Sequence, residues 1–212
     1  GDEGLAILSA HPIVLSGHRE LPHATESERR IVLSAIVDVE GTQVAAFSTH
    51  LNYRMTHGRE REAQVAAVDE VVRKLMSPPT ADSAGSADQA VLRPAFGVLM
   101  GDFNAAPSCD EIRFLRGEHG LDGRRVYYQD AYLCQPGGRS CGLSPGLTWS
   151  RQNPATAKLR FLEFDRRIDY IFVTQASRDG RGLVKSCRVV LDRPDESGIY
   201  PSDHFGVYAE IE

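Results

Sequence analysis

The stretch Phe96-Gly97-Val98-Leu99-Met100, followed at once by Gly101-Asp102-Phe103-Asn104, constrains this chain more than any other. The apolar run has the length and content of a buried strand. Beyond it, Pro107-Ser108 predicts the opening of a helix, with Ser108 as N-cap and Asp110 and Glu111 in the first turn. Asp102 and Asn104 therefore stand where a strand ends, at the rim of a sheet, where polar side chains are held rigidly. Alternation along an extended backbone points both to one side and Phe103 to the other. A carboxylate then faces a cleft, as base or metal ligand, beside a neutral carboxamide. The same residues also suit an Asx turn leaving a strand, and the local sequence leaves both readings open.

With 212 residues, 42% hydrophobic and 25% charged, the chain is long enough for one soluble domain with a sizeable core, and it reads as a single domain over 1–212. No apolar stretch reaches membrane-spanning length, and the N-terminus lacks a basic-then-apolar signal pattern, so no compartment can be assigned. The formal charge of −5 gives no overall basic field for nucleic acid, although a local basic rim or a bound metal can outweigh net charge. Cys109, Cys134, Cys141 and Cys187 lack zinc-like pairing. Cys134 and Cys141 flank a Pro/Gly loop and suit a bridge in an oxidising compartment; free thiols are the expected state.

In chain order, residues 4–9 (Gly-Leu-Ala-Ile-Leu-Ser) read as a buried strand and 13–15 as a second short one, before a polar surface loop over 16–30. Residues 31–39 and 43–49 form strands around the hairpin signal Glu40-Gly41. The second of these runs straight into His50. From Arg59 to Met76 apolar residues recur at helical spacing. A Pro/Ser/Ala/Gly/Asp-rich segment at 77–93 is expected to be a mobile loop. A helix over 108–117 and a short strand within 126–132 follow, then strands at 168–174, 186–191 and 205–211.

Four strand ends thus carry chemistry: His50, Asp102 with Asn104, Asp169, and Asp203 with His204. Singly, each has a plain structural explanation as a cap, a surface ion pair or a satisfied buried histidine. Together, carboxylates, a carboxamide and two histidines are what metal-assisted phosphoester hydrolysis needs. No Gly-x-Ser-x-Gly elbow supports a serine hydrolase, and no P-loop is present.

The ordered set of motifs resembles the endonuclease/exonuclease/phosphatase superfamily of metal-dependent phosphoesterases, in its bacterial type. The matching segments are Gly-Leu-Ala-Ile-Leu-Ser at 4–9, Ser-Thr-His-Leu at 48–51, Arg61-x-x-Gln64, Gly-Asp-Phe-Asn at 101–104, Arg-Arg-Ile-Asp-Tyr-Ile-Phe-Val at 166–173 and Ser-Asp-His-Phe at 202–205. Thr148-Trp149, followed by Asn153-Pro154, resembles the segment before the Ile-Asp-Tyr strand. The resemblance implies an α+β fold, a four-layer α/β/β/α sandwich of two mainly antiparallel sheets flanked by helices. It implies that Asp102 orients or deprotonates the attacking water and that Asn104 holds water or a phosphate oxygen. Asp203 would bind Mg²⁺ (or Mn²⁺), His204 would contact the scissile phosphate oriented by Asp169, and His50 would bind phosphate or assist the leaving group.

The resemblance also implies a further N-terminal segment, bearing an Asn and a metal-binding Glu, that has no counterpart here. The N-terminal strands are therefore expected to be missing by truncation or supplied by a partner chain; the alternative is a non-catalytic scaffold or assembly subunit that has lost its metal site. The expected substrate is a phosphorylated one: nucleic acid, a phospholipid head group or a small phosphoester. Arg54, His57, Arg59, Arg160, Arg166 and Arg167 form either a phosphate-binding rim, with Arg166 and Arg167 the substrate-binding candidates, or a solvated surface.

Overall fold

A computed structural model describes residues 4–24, 28–77, 92–136, 145–157 and 164–212. Six strands form one sheet: β1 (Ile13–Glu20), β2 (Ile31–Val39), β3 (Thr42–His50), β4 (Phe96–Asp102), β5 (Gln129–Asp130) and β6 (Asp169–Val173), in the order β1-β2-β3-β4-β6-β5. A second sheet pairs β7 (Val184–Val190) with β8 (Gly206–Ile211). The helices are α1 (Gly58–Met76), α2 (Asp110–Leu115), α3 (Ala131–Cys134) and α4 (Pro154–Ala157). Every strand pair is antiparallel except β3–β4, which α1 connects as a parallel crossover.

Period-two alternation assigns the two faces of the large sheet. Ala45, Phe47, Leu99, Tyr170 and Phe172 face the helical layer, where Val65, Val68 and Val72 of α1 and Ile112, Phe114 and Leu115 of α2 complete a core. Val44, Phe96, Val98, Ile171 and Val173 face the second sheet and pack with Val184, Cys187, Val207 and Ala209. The result is the α/β sandwich expected from the resemblance. Beneath α1, the buried Arg61–Glu111 pair (2.8 Å) ties the two larger helices together.

Several local expectations need correction. Residues 4–9 alternate between half-buried and exposed, with Leu8 96% exposed, but they pair with no strand among the described residues. Alternation makes a strand only where a neighbour accepts its backbone hydrogen bonds. Residues 13–20, read as a short strand and the start of a loop, instead form the continuous β1, an edge strand whose residues are all exposed. Arg30, placed in that loop, is buried. Helix α2 begins at Asp110 with Cys109 as N-cap and no side-chain cap, so Ser108 does not cap it. The strand within 126–132 shrinks to β5. The Glu40-Gly41 hairpin stands, both residues having positive φ (51° and 86°). Cys109, Cys134 and Cys187 are free thiols. Cys141, Arg160 and most of the 77–93 segment lie outside the described residues.

Gly101 is the backbone position that the sheet tolerates least. Its φ is +141°, and a Cβ there would lie 1.9 Å from the carbonyl oxygen of Thr49, its partner on β3. Gly101→Ala is expected to cost about 3 kcal/mol or more, read as a lowered denaturation midpoint or as loss of soluble protein.

Candidate active site

Strand register builds the site. In the parallel β3–β4 ladder His50 lies opposite Asp102, and in the antiparallel β4–β6 ladder Asp102 lies opposite Asp169. The three residues therefore stand abreast at one end of the large sheet. His204 arrives from the turn before β8, in the other sheet, and its Nδ1 lies 2.8 Å from Asp169 Oδ2. Asp102 Oδ2 lies between the two imidazoles, 3.3 Å from His50 Nε2 and 3.9 Å from His204 Nε2.

Asn104 is held at φ +50°, and its N–H donates to Asp102 Oδ1 at 2.7 Å. This is an Asx turn, so the structural reading of the Gly-Asp-Phe-Asn segment holds and the simple alternation argument for Asn104 does not. The Asn104 side chain donates one N–H to the Leu51 carbonyl at 3.0 Å, tying the loop after His50 to the end of β4. Phe103 points into the core, edge-on to Tyr170 and Phe172.

The electrostatics are those of a pocket short of positive charge. The pKa of Asp102 is raised, first by burial and then by the Asp169 carboxylate. His204, the Asn104 N–H and Arg166 offset part of that shift. Burial opposes charge on His204, yet the bond to Asp169 and the charges of Asp169, Asp102 and Asp203 outweigh it and raise its pKa. Among the described residues, Asp102, Asp169 and His204 are the one group of donor atoms close enough to surround a cation. His204 Nδ1 is already engaged by Asp169, so the oxygen atoms fit a hard cation better than the imidazole does. Asp203 lies exposed beside this group and receives the Ser202 hydroxyl at 3.1 Å.

Two arginines part company. Arg167 does not face a substrate cleft: it is buried in a bidentate pair with Asp130 (2.8 Å at each oxygen) and lies over the rings of Tyr132 and Tyr170. Arg166 is also buried, but its charge reaches Asp102 and its guanidinium lies over Phe164. Arg54 is exposed, and His57 pairs with Glu60.

Sequence reasoning missed Arg30, whose Nη1 lies 3.0 Å from His50 Nδ1 and whose other end meets Glu28 at 2.6 Å. Nothing in the Glu-Arg-Arg run distinguishes it from exposed Arg29. It also missed the packing of Trp149, whose ring lies edge-on to His204 with centroids 4.7 Å apart. The indole N–H is buried and makes no hydrogen bond among the described residues, a cost of about 1–3 kcal/mol incurred while the ring walls the imidazole.

The family model for the endonuclease/exonuclease/phosphatase family matches residues 1–204. The chain belongs to this family. Solved structures agree on the fold. A family protein from Bacteroides vulgatus superposes with TM-score 0.62 at 18% identity, over 95% of this chain and 66% of that one. Truncated Caenorhabditis elegans TDP2 gives 0.61 at 18% over 92% and 64%, and the Bacteroides thetaiotaomicron mannosyl-6-phosphatase 0.61 at 19% over 95% and 67%. The chain thus spans about two thirds of the length of these family structures. No curated protein matches it in sequence. No helix among the described residues is long and apolar enough to cross a membrane.

The raised pKa of His204 has a testable sign. Its charged form contributes stability that is complete below the unfolded value of about 6.5 and is lost as pH rises through the higher folded value. Asp169→Asn removes that contribution and also relieves Asp102, whose repulsion by Asp169 acts only when Asp102 is ionised. Denaturation in a chelating buffer should therefore show a larger destabilisation by Asp169→Asn near pH 5.5 than near pH 8.5.

Proposed function

We propose that this chain forms the catalytic portion of a metal-dependent phosphoester hydrolase, a phosphodiesterase or a phosphatase, in which activated water attacks phosphorus without a covalent intermediate. The observation that carries this reading is the meeting of Asp102, Asp169, His50 and His204 at one sheet end in a member of this family. Asp102 accepts the proton of the attacking water; its raised pKa makes it a stronger base near neutral pH than an ordinary carboxylate. Asn104, fixed through Leu51 and Asp102, orients that water. His204, kept charged by Asp169, donates to a non-bridging phosphate oxygen, and Arg166 adds positive charge nearby. His50, beside Asp102, assists the leaving oxygen.

The charge deficit at Asp102 and Asp169 fits a hard divalent cation. Asp203, exposed beside this cluster, would hold Mg²⁺ or Mn²⁺, which when bound would polarise the phosphoryl group and neutralise developing charge. One structural neighbour is a mannosyl-6-phosphatase, which brings a small phosphoester such as a sugar phosphate within range, alongside a nucleic acid or a phospholipid head group.

The test is hydrolysis of p-nitrophenyl phosphate and bis(p-nitrophenyl) phosphate by the full-length protein with Mg²⁺ or Mn²⁺. Activity is expected with the metal, with Asp102→Asn and His204→Asn each lowering kcat by about 10²-fold or more. A folded protein that hydrolyses neither ester with either metal refutes the proposal and leaves the scaffold reading standing.

A further inference from the structure

Asp169 opens β6 of the large sheet and His204 lies in the turn before β8 of the second, so no strand ladder sets the 2.8 Å contact between them. One residue touches the backbone on both sides of that contact. Thr148 is fully buried. Its hydroxyl oxygen accepts the N–H groups of Ile168 (3.0 Å) and Asp169 (3.1 Å), where β6 begins. Its carbonyl oxygen accepts the N–H of Phe205 at 2.7 Å, one residue past His204. The segment is anchored in turn by the backbone pairing of Thr148 and Trp149 with Arg166. A few residues on, buried Asn153 donates its side-chain N–H to the Ser202 carbonyl at 2.7 Å, on the other flank of Asp203 and His204. Trp149 closes the pocket against the imidazole ring.

We propose that Thr148 is a positioning residue for the His204–Asp169 pair, clipping the start of β6 to the turn before β8, with Asn153 as a second anchor. Neither residue reaches the reacting atoms on this assignment; each acts through His204. The inference rests on the hydrolase reading for its consequence in catalysis, but the geometry it concerns is measurable without turnover. Removing the hydroxyl leaves two N–H groups without their acceptor and frees the Asp169 backbone to shift relative to His204. A displacement of about 1 Å at a reacting group can cost about 10²-fold in rate.

The experiment compares Thr148→Val, which fills similar space without the acceptor, with Thr148→Ser, which restores it. The first readout is the hydrogen-bonded His204 Nδ1–H in NMR spectra of ¹⁵N-labelled full-length protein, assigned by its loss in His204→Asn. The expected result is a signal present in the wild type and Thr148→Ser and lost or shifted in Thr148→Val. The second readout is hydrolysis of bis(p-nitrophenyl) phosphate, with kcat in Thr148→Val down by about 10- to 100-fold, KM within about twofold, and Thr148→Ser near wild type. Should Thr148→Val fail to fold, Asn153→Ala, which releases the Ser202 carbonyl and the Ala155 N–H but leaves the Thr148 contacts in place, is expected to shift the same signal and lower kcat.

An unchanged His204 signal and kcat in a folded but less stable Thr148→Val overturns the proposal and leaves Thr148 a purely structural residue. So does a wild type without a bonded His204 Nδ1–H, or an Asn153→Ala variant indistinguishable from wild type where that variant has to decide. A wild type inactive on both p-nitrophenyl esters with either metal, but with the NMR pattern as expected, refutes the hydrolase reading and leaves the positioning role intact.

Discussion

Asp102 and Asp169 face each other across the β4–β6 ladder, and two like charges directly opposite on adjacent strands repel. The repulsion and the burial of Asp102 are visible together in its raised pKa. Much of the surrounding structure offsets this one conflict. His204 bonds to Asp169 and approaches Asp102, the Asn104 N–H binds the other Asp102 oxygen, and the Arg166 charge reaches the same carboxylate. A domain selected only for stability gains nothing by placing carboxylates on adjacent strands at a partly buried sheet end. The arrangement is intelligible as a site that receives further positive charge.

The rigid frame for that charge comes from buried polar groups on two sides. On the helical side, Arg61 donates to the Asn52 and Arg54 carbonyls, while Gln64 accepts the Asn52 N–H and donates to the Pro22 carbonyl. The loop leaving His50 is thereby fixed between α1 and Asn104. On the side of the second sheet, the Thr148 hydroxyl holds the start of β6, the Thr148 carbonyl accepts the Phe205 N–H, and the Asn153 side chain donates to the Ser202 carbonyl. Apolar packing brings the layers together, but it is non-directional. Hydrogen bonds from buried side chains to named backbone groups fix the angles.

How much of this was legible in the sequence follows from the range of the interactions involved. The long periodic helix, the Glu40-Gly41 hairpin and the strand into Asp102 are local patterns, and they were read nearly to their ends. The clustering of His50, Asp102, Asp169 and His204 was legible as well, because each polar residue sits where an apolar run stops. What escaped was set at long range. Residues 4–9 alternate as a strand should but find no partner among the described residues, whereas β1 was obscured by its polar exposed second half. Arg166 and Arg167 are indistinguishable in sequence; only the fold aims one towards Asp102 and pairs the other with Asp130.

The Asx-turn and catalytic readings of Asp102 and Asn104 are geometrically compatible. Asp102 has two oxygens. Oδ1 is occupied by the Asn104 N–H, which locks the carboxylate plane and places Asn104 in the left-handed region. Oδ2 is thereby presented between His50 and His204. On the proposed hydrolytic reading this division also separates the base from the cation that binds the phosphate. Asp169 raises the pKa of both neighbours, that of Asp102 by its charge on top of burial and that of His204 by its hydrogen bond and charge, but with opposite chemical effect: Asp102 becomes the better proton acceptor, and His204 the more persistent cationic donor. One carboxylate that touches neither proton in flight thus assigns both roles, and the local turn makes the assignment geometrically possible.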